Sequence, residues 1–99
     1  MSWWSRFLWW KNRPTRIRPD VHLILYTRSG CHLCDAAWQL LERYQSRYKF
    51  RLQAVDVEGD QELVRQHGSW VPVVTVNGKV RFRGAVNEML LKRLLEASN

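Results

Sequence analysis

The stretch that decides the fold lies at residues 21–34 and consists of Val21-His22-Leu23-Ile24-Leu25-Tyr26-Thr27-Arg28-Ser29-Gly30-Cys31-His32-Leu33-Cys34. Its first six residues are almost all apolar, with β-branched and aromatic members, and they predict a central strand buried on both faces. A strongly helical segment follows, so the chain is expected to turn at residues 27–30 and open a helix at Cys31. Both thiols would then lie in one helical turn, within disulfide range. The motif predicts a redox-active dithiol.

The remaining elements are predicted from apolar spacing and turn residues. They are, in order, a helix at 31–48, a strand at 50–57, a short helix at 60–67, two strands around Asn77-Gly78, and a terminal helix after Gly84. A helix of this length between two strands predicts a parallel, right-handed crossover. The Asn-Gly pair predicts a two-residue hairpin, because both turn residues take positive φ. The order β-α-β-α-β-β-α predicts an α/β protein with a four-stranded mixed sheet, which is the thioredoxin fold.

Length, cysteine count and charge distribution indicate the class of protein to which the chain belongs. A chain of 99 residues forms one small core. Two cysteines are too few for a secreted disulfide scaffold, so the cytoplasm is the expected compartment. Five of the seven net positive charges fall in residues 1–19, which contain no acid. A uniformly basic nucleic-acid-binding domain is therefore a poor description of the chain, and no nucleic-acid partner is expected.

Residues 1–19 are interpreted as a tryptophan-rich, basic N-terminal arm, and residues 20–99 as the folded domain. The arm holds four of the six tryptophans, and its apolar run is too short to span a bilayer. Tryptophan beside arginine and lysine suits the lipid headgroup region. We therefore hypothesise a weak peripheral contact with the inner face of the membrane. The alternatives are an arm folded over its own domain and a disordered tail.

The two cysteines are expected to have different roles. Cys31 lies at the helix start, where backbone N–H groups and the helix dipole favour a nucleophilic thiolate. Cys34, one turn further in, would resolve the mixed disulfide. Protonated His32 would further favour the thiolate, although it could equally be a simple exposed residue. Arg28 could attract an acidic substrate or a glutathione carboxylate, or be an ordinary surface cation.

A proline at the start of a strand supplies a further candidate. Pro72 has no N–H and cannot join a ladder internally, so it should precede the strand, where its peptide bond could be cis. With that bond cis, the backbone of Val71 could pair with an extended substrate beside the disulfide.

Several segments carry a resemblance to a known family. They are Leu25-Tyr26-Thr27-Arg28-Ser29-Gly30-Cys31-His32-Leu33-Cys34-Asp35, Val55-Asp56-Val57, Glu62-Leu63 and His67-Gly68-Ser69-Trp70-Val71-Pro72-Val73. Through them, residues 22–97 resemble the glutaredoxin-like branch of the thioredoxin superfamily, especially small proteins with a Cys-His-Leu-Cys-Asp motif. The resemblance implies Cys31 as the nucleophile, Cys34 as the resolving thiol and Pro72 as a cis-proline facing them.

The chain also departs from that family's pattern. Glutaredoxins proper usually have Pro-Tyr between the cysteines, a Thr-Val-Pro segment, and Gly-Gly followed by Asp to hold glutathione. The counterparts here are His32-Leu33, Trp70-Val71-Pro72 and the single Gly84 with Asn87. The residues predicted to bind substrate are Arg28, His32, Trp70, Val71, Pro72 and Gly84.

The sequence thus predicts a monomeric thiol-disulfide oxidoreductase that reduces or exchanges protein or glutathione disulfides. No cofactor is required, no residue is assigned to a metal, and glutathione could serve as reductant or co-substrate. One alternative is an iron–sulfur or metal-binding protein, although a single cysteine pair supplies half of the usual four ligands. The other alternative is a non-catalytic, redox-sensing module.

Overall fold

A computed structural model describes residues 17–97, which form a four-stranded sheet with three α-helices. The elements are β1 (His22–Thr27), α1 (His32–Tyr48), β2 (Arg51–Asp56), a short 3-10 turn (Val57–Gly59), α2 (Gln61–His67), β3 (Val73–Val76), β4 (Lys79–Arg83) and α3 (Glu88–Glu96). The predicted order β-α-β-α-β-β-α is confirmed. The predicted arm lies largely outside the described residues, including all four of its tryptophans.

The sheet is mixed, and its strands lie in the order β2-β1-β3-β4. Strand β1 is parallel to β2 and antiparallel to β3, with Tyr26 opposite Val73. Strands β3 and β4 are antiparallel. Consequently β1, β2 and β4 end, and β3 begins, at one end of the sheet, which we call the dithiol end because β1 leads there to Cys31. The opposite end, where β1 begins and α1 finishes, is called the far end.

The predicted Asn-Gly hairpin lies at the far end. Asn77 and Gly78 have φ values of 50° and 87°, the left-handed geometry that a two-residue hairpin requires. The side-chain oxygen of Asn77 accepts a hydrogen bond from the His22 N–H at 2.8 Å, and the Asn77 N–H donates to the His22 carbonyl at 2.9 Å. The turn is therefore fixed to the start of β1.

The main core lies between one face of the sheet and helices α1 and α3. Apolar residues of α1 recur at the three- and four-residue spacing of a helix with one buried face. Leu41 in α1 and Leu91 and Leu95 in α3 are completely buried, as is Leu23 in β1. Burying each leucine stabilises the fold by roughly 1.5–3 kcal/mol. Tyr44 and Tyr48 add polar links between the two helices, because their hydroxyls donate to the carboxylates of Glu88 and Glu96.

The second face of the sheet differs from the sequence prediction. Leu23 and Leu25 of β1 are buried, but Ile24 and Tyr26, which point to the opposite face, are only half-buried. Helix α2, on the crossover between β2 and β3, has only seven residues and none is buried. Val73 and Thr75 of β3, which lie opposite Tyr26 and Ile24 on the same face, are buried, so this face is covered at β3 and only partly covered at β1. Within residues 17–97, no helix combines the length and apolar composition needed to cross a bilayer.

Arg18 joins the start of the described chain to the far end. Its side chain is almost completely buried, and Nη1 donates to the carbonyls of Leu95 and Ala97, both at 2.8 Å. Its backbone N–H donates to the Tyr48 carbonyl at 2.6 Å, and its guanidinium forms an ion pair with Asp20 at 3.2 Å. Arg18 therefore packs against the ends of both long helices, although the sequence assigned it to the arm.

Candidate active site

The two cysteines form a disulfide at the start of α1. Their Cα atoms are 5.2 Å apart, as expected for residues in one helical turn. Cys31 is the N-cap residue, with extended backbone angles, whereas Cys34 lies within the first turn. Cys31 is half-exposed, but only 1% of Cys34 is accessible. A molecule approaching from solvent can therefore reach the first sulfur and not the second.

The Cys31 sulfur is held by the helix that it caps. The Cys34 N–H donates to the Cys31 sulfur at 3.1 Å, in the position that a serine or aspartate oxygen occupies at other N-caps. This contact satisfies one of the amides that a helix start leaves without an internal partner. The same N–H would stabilise negative charge on this sulfur after reduction, because hydrogen bonds to an ionised acceptor are stronger.

The proline loop lies at the same end of the sheet as the disulfide. The Val71–Pro72 peptide bond is cis, and Pro72 is buried. Because Tyr26 is opposite Val73, one further step of this register places Pro72 beside Thr27, where β1 leads into the dithiol turn. Within residues 17–97, the backbone N–H and carbonyl of Val71 form no hydrogen bond. An extended chain could therefore pair with Val71 there.

Gly84 fixes the loop from the other side. Its N–H donates to the carbonyls of Trp70 and Pro72, at 2.9 and 2.8 Å. Its φ of +79° lies in the left-handed region that favours glycine. The side chain of Trp70 is 59% exposed, and that of Leu33, between the cysteines, is 60% exposed. The structure thus presents large apolar side chains both in the dithiol motif and in the proline loop.

Arg28 is linked to two neighbouring segments. Its Nη1 donates to the Gly68 carbonyl at 2.9 Å, and its Nη2 lies 3.9 Å from the Glu58 carboxylate. Glu58 also accepts a hydrogen bond from the Ser29 N–H at 3.0 Å. Gly68 leaves no room for a side chain, since a Cβ there would lie 2.5 Å from the Val64 carbonyl oxygen. The sequence did not identify Glu58 or Gly68 as neighbours of the dithiol turn, because both contacts join segments about thirty to forty residues apart.

His32 is exposed and is the first residue of α1, beside both cysteines. Within residues 17–97, no group of three or more histidine, cysteine, aspartate or glutamate side chains lies close enough together to bind a metal ion.

His67 supports the sheet just behind the proline loop. Its ring centroid lies 4.5 Å from that of Tyr26, so the end of α2 packs on β1. Burial lowers the pKa of His67 below 6.5, and the positive charge of Arg83 lowers it further. The folded state therefore favours the neutral imidazole.

This lowered pKa makes stability depend on pH. The unfolded chain binds the His67 proton more tightly, so the contribution is fully present above pH 6.5 and is lost as the pH falls below that value. We expect the free energy of unfolding, measured with urea, to fall between pH 7 and 5 by no more than about 1.4 kcal/mol per pH unit from this group. His67→Phe should flatten the decline. An unchanged decline in His67→Phe would contradict this assignment.

Comparison with known proteins identifies the family. A family model described as Glutaredoxin-like domain (DUF836) matches residues 22–96. The chain belongs to this family. No curated protein sequence matches the glutaredoxin-like chain.

Solved structures support the same fold. Protein Ne2328 from Nitrosomonas europaea is 26% identical, with a TM-score of 0.68, over 77% of this chain and 92% of that one. Protein XcR50 from X. campestris is 27% identical, with a TM-score of 0.63, over 78% of this chain and 99% of that one. A thioredoxin from Halobacterium salinarum is 21% identical, with a TM-score of 0.62, over 86% of this chain and 89% of that one. This similarity supports the fold alone. The thioredoxin-like fold and the Cys31–Cys34 pair of this glutaredoxin-like domain fit a redox function.

Proposed function

We propose that the protein is a thiol-disulfide oxidoreductase, with Cys31 as the nucleophile and Cys34 as the resolving thiol. The observation that carries this proposal is the unequal exposure of two bonded cysteines at a helix start. Cys31 is half-buried and its sulfur accepts an N–H, whereas Cys34 is only 1% accessible. Disulfide exchange needs one thiolate that can reach a substrate and one thiol that reaches only the first.

The reaction transfers two electrons from the reduced dithiol to the substrate. The Cys31 thiolate attacks a substrate disulfide, forming a mixed disulfide and releasing one substrate thiolate. The Cys34 thiolate then attacks the Cys31 sulfur, releasing the second substrate thiolate. The product is the Cys31–Cys34 disulfide of the present structure, and both substrate sulfurs take up protons from water. A thiol reductant, either glutathione or a dithiol protein, must return the pair to its reduced form.

The surroundings of the disulfide support a disulfide-containing protein as one substrate. The free N–H and carbonyl of Val71 suit pairing with an extended chain, and the buried ring of Pro72 fixes their position. The exposed side chains of Trp70 and Leu33 offer apolar contacts on either side. Gly84 contributes indirectly, by holding the loop through its N–H.

Glutathione is proposed as a reductant or co-substrate, and no bound cofactor is required. Arg28, 40% exposed at its side chain, would attract a carboxylate, and His32 would favour the Cys31 thiolate when protonated. The Arg28 guanidinium is also bonded to Gly68 and lies near Glu58, so part of its charge is already balanced. We place the protein in the cytoplasm and treat it as a monomer.

A coupled turnover assay tests this proposal. Disulfide reduction would be followed through NADPH consumption, in parallel, with glutathione plus glutathione reductase and with thioredoxin plus thioredoxin reductase. We expect turnover above the protein-free rate in at least one system, and activity in only one identifies the reductant. Absence of turnover in both, with a protein and a glutathione disulfide as substrates, would contradict an oxidoreductase and favour a redox sensor.

A further inference from the structure

Exposed cations collect at the far end of the domain. Arg47 lies in the last turn of α1, Lys49 caps that helix, Arg51 begins β2 and Lys79 begins β4. All four side chains are exposed. The strand register and hairpin place them at the same end of the sheet, with Arg51 and Lys79 on its two edge strands, because Arg51 is opposite His22 and His22 is bonded to the turn immediately before Lys79. We call these four residues the basic end.

The acids near the basic end are already engaged. Asp20 pairs with the buried guanidinium of Arg18, and Glu96 accepts a hydrogen bond from the Tyr48 hydroxyl. The dithiol end instead carries Asp35, Asp56 and Glu58, all exposed. The dithiol end also carries Arg28 and Arg83, so its charges nearly balance, whereas the basic end has an excess of exposed positive charge.

The chain enters the domain at the basic end. Arg18 donates its backbone N–H to the Tyr48 carbonyl, immediately before Lys49. The described part of the chain begins at this end, and the sixteen residues before it contain four further cations and the pairs Trp3-Trp4 and Trp9-Trp10. A nucleic acid would account for the cations but not for the tryptophans. A bilayer of anionic lipids satisfies both features, since tryptophan rings partition into the headgroup region and cations are attracted to its negative surface.

We propose that the basic end is a docking surface for an anionic lipid bilayer. The contact fixes the orientation of the domain as well as its location. Strand β1 spans six residues, or about 20 Å, between the two ends. The disulfide and its acidic neighbours therefore face away from the membrane, where a water-soluble partner can reach them. This proposal does not depend on the proposed catalytic activity.

Co-sedimentation of the full chain with vesicles tests the surface. The vesicles would contain phosphatidylcholine alone or with about one third phosphatidylglycerol, at 0.15 M salt. The test variant is Arg47→Gln/Lys49→Asn/Arg51→Gln/Lys79→Gln, with asparagine at residue 49 because φ there is 58°. The matched control, Arg43→Gln/Arg65→Gln/Arg81→Gln/Arg83→Gln, removes the same charge from elsewhere. Circular dichroism verifies that both variants are folded.

We expect binding to anionic vesicles only, and at least a tenfold weaker partition for the basic-end variant. Each cation near an anionic surface raises the partition coefficient of the protein onto vesicles roughly fivefold. The control variant should lose much less vesicle binding, because charges distant from the vesicle surface are screened at this salt concentration. In reduced protein, vesicles should leave the rate of Cys31 alkylation by a membrane-impermeant maleimide unchanged.

Four results would overturn the proposal. They are equal losses in both variants, equal binding to neutral vesicles, protection of Cys31 by vesicles, and displacement of the protein from vesicles by duplex DNA at equal phosphate concentration. The last result would identify a nucleic acid as the preferred polyanion. None of these measurements uses turnover, so failure here is distinct from failure of the oxidoreductase proposal.

Discussion

Replacing the nucleophile, in Cys31→Ser, is expected to lower disulfide-reductase turnover by at least about a thousandfold, to the protein-free rate. A serine hydroxyl is a far weaker nucleophile than a thiolate near neutral pH. Cys34 cannot take over the attack, because only 1% of it is accessible. The measurement is the coupled assay, in whichever reductant system the unaltered protein is active.

The partner variant separates the two steps of the same reaction. Cys34→Ser keeps the half-exposed Cys31 and loses the thiol that resolves the intermediate. We expect it to accumulate one mixed disulfide per chain with a protein disulfide substrate, detected by mass spectrometry under non-reducing conditions. Addition of a small thiol should release the substrate, since an external thiolate can replace the resolving step.

The two variants are controls for one another. Both lack the Cys31–Cys34 disulfide, so any loss of stability from removing the bridge is shared. A difference in trapping therefore reports on which sulfur attacks. Retained turnover in Cys31→Ser, or trapping by Cys31→Ser in place of Cys34→Ser, would exclude the proposed roles.

The features that the sequence predicted correctly are those determined by neighbouring residues. Asn77-Gly78 specifies its own turn, and the cysteine spacing brings both sulfurs into one helical turn. The apolar spacing of residues 31–48 predicts α1 to within one residue, because a helical face repeats along the chain. The family resemblance further implied the cis bond before Pro72, which local propensity alone makes improbable.

The features that the sequence missed depend on residues far apart in the chain. Arg28 bonds Gly68 forty positions away, and Arg18 bonds Leu95 and Ala97 nearly eighty positions away. Single cations carry no pattern that reveals such partners, and the sequence assigned Arg18 to the N-terminal arm. Burial of β1 on both faces was also overestimated, since it depends on which elements pack over each face, and α2 contributes no buried residue.

Arg18 gives the sharpest test of how the N-terminal segment joins the domain. In Arg18→Ala, the carbonyls of Leu95 and Ala97 lose a charged donor, and Asp20 loses its ion-pair partner. Hydrogen bonds to charged groups contribute roughly 1.5–3 kcal/mol each, and part of this loss is recovered when water enters. We therefore expect the free energy of unfolding in urea to fall by about 2–4 kcal/mol.

The matched control is Arg51→Ala, which removes an exposed arginine at the same end of the sheet. Its effect should stay within about 0.5 kcal/mol, as is usual for surface substitutions. Because Arg18 is distant from Cys31, the folded Arg18→Ala protein should retain its disulfide exchange rate at low temperature. Equal small losses in the two variants would show that the far end is held by the apolar contacts of α1 and α3, and that residues before Val21 contribute little to the fold.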